Sequence, residues 1–244
     1  MTNSRKLLIA VDGSPRSLEA VNYVALNLPP TDFRVNLMYV MPAAPEGLGD
    51  LEKEGFFKRT MRAKHSVWEK TEKEAAQVFL HEARSLLLKA NVKENDVNLI
   101  LQKRQVGIAR DIIAEGSRGY EAVVVGRKGL SRLKDIFLGS VSYKIVQGSK
   151  DVPVWVVGGD IRSKKMLLAV DGSENSRKAV DYAANFAAAN EAGVRLFNVV
   201  REYRLDFLDN STPRGEEIEM RILEKLERDV QHMFASYRKQ LEWA

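Results

Sequence analysis

Apolar residues along this chain fall into two kinds of run. Short unbroken runs such as Leu7-Leu8-Ile9-Ala10-Val11, residues 35–40, 122–125 and 152–157 suit strands buried on both faces of a parallel sheet. Between them, apolar residues recur every three or four positions, the period of a helix with one buried stripe. Leu18, Val21, Ala25 and Leu28 form one such stripe. Trp68, Thr71, Ala75, Phe79, Ala83 and Leu86 form a longer one. Residues 97–101 read as a strand of alternating character, 108–115 as a helix entered after Gly107, and 140–147 as a further helix. Strands alternating with helices predict an α/β fold with an open, mostly parallel, five-stranded sheet and helices on both faces.

The pattern then starts again. Lys6-Leu7-Leu8-Ile9-Ala10-Val11-Asp12-Gly13-Ser14 returns as Lys165-Met166-Leu167-Leu168-Ala169-Val170-Asp171-Gly172-Ser173, an offset of 159. The offset holds without a gap to Val40 and Val199, with 15 identities over the 35 positions. This is a duplication. The second copy reads as strand, helix, strand (194–199) and a long amphipathic helix carrying Ile218, Ile222, Leu226, Val230, Phe234, Tyr237 and Leu241. At the same offset Ala244 corresponds to Ser85, so the later strands of the first copy have no counterpart in this chain. The expected organisation is a complete domain at 1–158 and a partial repeat at 161–244. The partial copy reads as a fragment of a longer tandem protein, or else as a half-domain covered by the first copy or by another subunit. Residues 46–62 and 201–215 read as charged or polar loop insertions.

The richest chemistry follows the fourth strand. Val123-Val124-Val125-Gly126-Arg127-Lys128-Gly129 is followed by nine residues and then Gly139-Ser140-Val141-Ser142. Glycine at a strand end lets backbone amides approach a ligand, and the first amides of a helix favour an anion. Ser140 and Ser142 add hydroxyls, while Arg127, Lys128, Arg132 and Lys134 add positive charge. Such a loop suits a polyphosphate at the carboxyl end of an open sheet. Asp12, ending the first strand, could accept a hydrogen bond from an adenine amine or a ribose hydroxyl. Asp12-Gly13-Ser14 and Asp171-Gly172-Ser173 are also what a strand-to-helix turn with a serine cap requires.

With its opening Ala10-Val11-Asp12-Gly13-Ser14 and its Gly-x2-Gly-x9-Gly-Ser pattern, the chain resembles the universal stress proteins, in their ATP-binding branch. The resemblance covers residues 5–158 as a whole domain and about 161–244 as the front of another. It implies a Rossmann-like fold of the adenine-nucleotide alpha-hydrolase type. It also implies that Ala10, Val11 and Asp12 line an adenine and ribose pocket, with Val40 meeting adenine through its backbone. Gly126, Arg127, Lys128, Gly129, Gly139, Ser140, Val141 and Ser142 would hold the triphosphate of ATP, accompanied by Mg²⁺ or Mn²⁺. Arg127-Lys128 departs from the Ser-His of some members and makes the loop more basic. Homodimers, or an intramolecular pseudo-dimer of repeats, are implied as well, with a protein partner as a further expectation. The second copy keeps Ala169, Val170, Asp171 and Val199 but has no phosphate loop, so it should bind no nucleotide alone. The implied function is a nucleotide-dependent stress-response signalling or interaction module. The alternative within the family is a dimerisation module without nucleotide.

Composition narrows this reading. The 244 residues are 45% hydrophobic and 29% charged, a globular composition. Zero cysteines exclude disulfide scaffolds, thiolate metal sites and a cysteine nucleophile, and they fit a cytoplasmic protein. No apolar run has the roughly 20 residues that span a bilayer. The net charge of +5 is uneven: residues 103–150 hold ten bases and four acids, whereas 161–244 hold 14 of each. That surplus suits a small anionic ligand. Nucleic acid is not expected, since no stacking aromatics interleave the bases. His65, His81 and His232 lack paired metal-ligand spacing, and Trp68, Trp155 and Trp243 read as packing residues. No Walker loop, dinucleotide fingerprint or nucleophile elbow is present, so the chain reads as a binder and not an enzyme. Slow ATP hydrolysis or autophosphorylation is left open.

Overall fold

In a computed structural model, the described residues are 5–28, 33–44, 55–127, 138–159, 163–200 and 213–242. Lys128, Gly129, Arg132, Lys134 and Trp243 lie outside them, as do most residues of the two expected insertions. The chain divides into two compact units, Met1–Ile161 and Arg162–Ala244.

Unit one runs β1 (Arg5–Val11), α1 (Pro15–Asn27), β2 (Phe33–Met41), α2 (Gly55–Lys89), β3 (Val97–Lys103), α3 (Ile108–Gly116), β4 (Ala122–Gly126), α4 (Ser140–Gly148) and β5 (Val154–Val157). All neighbours are parallel and the strand order is β3-β2-β1-β4-β5. This is the open, doubly wound sheet expected from the sequence. The chain leaves β1 in one direction towards β2 and returns on its other side at β4. That reversal opens a crevice at the carboxyl ends of β1 and β4.

Both sheet faces are covered, which is why the strands read as unbroken apolar runs. Leu8, Ala10, Met38, Val40, Val123 and Val125 pack under Ala109 and Ile112 of α3 and Ile145 of α4. Ile9, Leu37 and Val124 are fully buried on the alternate positions, with α1 and α2 packed on the sheet. Each fully buried side chain of this size contributes about 1.5–3 kcal/mol.

Three expectations shift in detail. The buried row of α2 is Ala76, Leu80, Ala83 and Leu87, rotated by about one position from the expected stripe. Both rows have helical spacing, and Phe79 and Leu86 are only partly buried beside it. On α1 the buried set is Ser17, Ala20, Val21 and Val24, because small residues let the helix approach the sheet. The last strand is shorter than expected and is not buried throughout. As an edge strand, β5 leaves Val156 37% exposed.

Unit two contains β6 (Lys165–Ala169), α5 (Glu174–Asn190), β7 (Gly193–Phe197) and α6 (Pro213–Glu242). Its two strands pair parallel, with Lys165 opposite Gly193. Lys6 opposite Arg34 in unit one is the same register at the 159-residue offset. One face packs Val170, Val180 and Tyr237 with Leu168, Leu196, Met233, Phe234 and Leu241. On the other face Leu167 is 64% and Phe197 49% exposed. Their counterparts Leu8 and Met38 are buried under α3 and α4, and the described residues of unit two include no counterpart of those two helices.

Candidate functional site

The turn after β1 is built by its own side chains. The Ser14 hydroxyl caps α1 by accepting from the Ser17 amide at 3.2 Å, and it donates to Asp12 Oδ1 at 2.6 Å. The Ser14 amide also donates to that oxygen at 3.1 Å. Gly13 sits at φ +80°, where a side chain would be strained. Asp12 is thereby fixed at the carboxyl end of the central strand. The repeat builds the same turn, with Gly172 at φ +79°. There the Ser173 and Ser176 hydroxyls, with the Ser173 amide, hold the Asp171 carboxyl down at about 2.

Across the crevice, β4 ends at Gly126 and α4 begins after Gly139. The Gly139 amide donates to the Arg127 carbonyl at 2.8 Å, and the Ser142 hydroxyl donates to the Gly126 carbonyl at 2.7 Å. These two bonds close the ends of the glycine loop onto each other. The amides of Ser140, Val141 and Ser142 open the helix and have no acceptor within it. An anion placed there meets both those donors and the positive end of the helix dipole.

One cavity of about 410 Å³ lies between these two turns. Ala10, Val11, Asp12, Val40, Gly126, Gly139, Ser140, Val141 and Ser142 all line it. Lys128 and Gly129, also expected at the site, fall outside the described residues. Arg127 is placed differently. Its amide donates to the Val157 carbonyl at 2.6 Å. Its side chain lies against Gly158, whose added Cβ would meet Arg127 Cβ at 2.7 Å. Ser142 also has a more specific place than expected: its hydroxyl proton is already engaged by Gly126.

The cavity gains walls that the sequence reading did not single out. Ile108 and Ile112 of α3 and Ile145 of α4 supply apolar surface. The loop ahead of α3 is held by Asp111, which is 5% exposed. It accepts from the amides of Gln105 at 2.7 Å, Val106 at 3.0 Å and Gly107 at 3.4 Å. Burial opposes its charge, but these amides outweigh that and keep the carboxyl below its ordinary range.

On the opposite side, Tyr39 and Glu72 line the cavity, and the Tyr39 hydroxyl donates to Glu72 Oε1 at 2.9 Å. Burial, then the bond to Glu72 and the charges of Glu72 and Asp12, push the phenol well above its usual range. The sequence did carry a signal for Glu72. It stands four residues before Ala76, as a charge on the same row as Ala76, Leu80, Ala83 and Leu87. Only the correct phase of α2 exposes it.

A doubly wound parallel sheet whose reversal point holds a cavity defines this protein as an open-sheet α/β protein with its cavity where such folds usually place one. The universal stress protein family model matches residues 3–158 and again 162–242. The chain belongs to that family. It is 29% identical over 202 residues to a universal stress protein of Mycolicibacterium smegmatis, covering 78% of this chain. The match spans 61% of that relative's length. Among solved structures, a universal stress protein from Archaeoglobus fulgidus superposes with a TM-score of 0.54 at 20% identity. It covers 93% of this chain and 75% of that one. A putative universal stress protein from Pseudomonas aeruginosa gives a TM-score of 0.53 at 13% identity, covering 97% and 71%. At these identities the likeness is one of fold.

Among the described residues, no three histidines or acids group as metal ligands, and no helix is long and apolar enough to cross a membrane.

Proposed function

We propose that unit one binds an adenine nucleotide, ATP with Mg²⁺ or Mn²⁺, and acts as a nucleotide-dependent signalling module of the stress response. One observation carries this reading. Eight residues from the two sequence motifs, which stand more than 100 positions apart, line a single 410 Å³ cavity together with Val40. Apolar surface from Ala10, Val40, Ile108 and Ile112 suits a flat base, and the first turn of α4 suits phosphate. Asp12 lies where a nucleoside could donate to it. The described residues form no acidic cage, so the metal would arrive with the triphosphate, whose charge it offsets.

The reading assigns binding and not turnover. Its output would pass through a homodimer or a protein partner whose surface changes with nucleotide occupancy. A cytoplasmic setting fits the cysteine-free composition.

Denaturing the purified protein and identifying what is released tests the reading. Adenine nucleotide in the supernatant, or a melting temperature raised by several degrees with ATP and Mg²⁺, is expected. Finding neither contradicts it.

A further inference from the structure

We propose that Glu72, held in place by Tyr39, recognises the sugar of the bound nucleotide and restricts the site to ligands with free vicinal hydroxyls. This rests on the nucleotide reading of the cavity and adds a specificity determinant from α2, an element that neither motif touches.

The two polar parts of the cavity have opposite character. Gly139, Ser140, Val141 and Ser142 offer amide donors and a helix N-terminus. Asp12 and Glu72 offer carboxylates. A phosphate beside two carboxylates is repelled, whereas a neutral group carrying hydroxyls can donate to both. In a nucleotide the sugar stands between base and phosphates and carries two adjacent hydroxyl donors.

Glu72 is also fixed more firmly than a surface acid. The Tyr39 hydroxyl donates to Oε1 at 2.9 Å, which anchors the carboxylate and leaves its other acceptor positions for a ligand. Tyr39 is itself 8% exposed, and its ring lies against the Asp12-Gly13-Ser14 turn, 3.7 Å from where a Cβ of Gly13 would stand. Tyr39 is therefore a positioning residue for Glu72. The repeat offers an internal contrast. Asn198 replaces Tyr39 at the 159-residue offset, and its amide donates to the Val170 carbonyl at 2.7 Å.

Calorimetric titration of the full chain with ATP, 3′-deoxy-ATP, 2′-deoxy-ATP, purine riboside triphosphate and 3′,5′-cyclic AMP tests the proposal. The wild type should prefer ATP over at least one deoxy analogue by roughly tenfold or more, the size of a hydrogen bond to a charged acceptor. Cyclic AMP, whose esterified 3′ oxygen puts an anion beside the carboxylates, should bind more weakly still. Glu72→Leu places an apolar residue on the apolar row of α2, so it should fold. In that variant the preference for hydroxyls should fall to about one. Tyr39→Phe should lower the preference part-way with ATP still bound.

Equal affinity of the wild type for ATP and both deoxy analogues would overturn the proposal alone. So would a preference unchanged in Glu72→Leu, or one that Glu72→Leu moves only against purine riboside triphosphate, which would assign Glu72 to the base. Failure to bind any triphosphate would overturn the nucleotide reading and this proposal with it.

Discussion

The Ser142 hydroxyl donates to the Gly126 carbonyl oxygen at 2.7 Å, tying the last residue of β4 to the first turn of α4. Ser142 is 7% exposed, so water does not readily replace that bond. Ser142→Ala should cost about 1–2 kcal/mol of stability. It should also weaken ATP binding, because the helix start loses its tie to the glycine strand end. Thermal unfolding and titration of the same sample check both effects; unchanged ATP affinity would show that this tie does not support the site.

Two glycines set the spacing of α3 and α4. A Cβ at Gly116 would meet Val123 Cγ2 at 2.6 Å, and one at Gly148 would meet Ile113 Cδ1 at 2.7 Å. The valine branch is stiff and fully buried, whereas the end of the isoleucine can swing aside. Gly116→Ala should therefore destabilise by about 1–3 kcal/mol, and Gly148→Ala by less. Adding Ile113→Val, which removes the clashing methyl, should restore part of the Gly148→Ala loss in chemical denaturation.

Asp111 gives a pH dependence with a definite sign. Its folded carboxyl lies below the ordinary range, and the unfolded one titrates near about 4. A depressed folded value stabilises the protein above the unfolded value, and that contribution is lost as pH falls through the folded one. Asp111→Asn should thus cost about 1–3 kcal/mol at pH 7, and the gap from wild type should narrow at pH 3. Urea unfolding at both values checks this. A gap that widens in acid would contradict it.

The sheet was readable from sequence because both its faces are covered. Unbroken runs such as residues 7–11 and 122–125 mark buried strands directly. The glycine and serine positions of the site were readable because turns and helix starts demand those residue types. What escaped were groups that reach the cavity from helix faces. Ile108, Ile112 and Ile145 look like ordinary core, and Glu72 became visible only once the row of α2 was known. The phase error there was small, about one residue, yet it separated a solvent-facing charge from one inside the site. Exposure of Leu167 and Phe197 was likewise not local information, since their strands read like those of unit one.

The central claim is that this one cavity in unit one binds ATP, and titration of the full chain with ATP and Mg²⁺ tests it most directly. The account predicts saturable binding of one nucleotide per chain. It predicts that Asp12→Ala weakens binding and that Ser140→Asp, which sets a negative charge at the start of α4, abolishes it. No binding heat, two nucleotides per chain, or the wild-type affinity in both variants would contradict it.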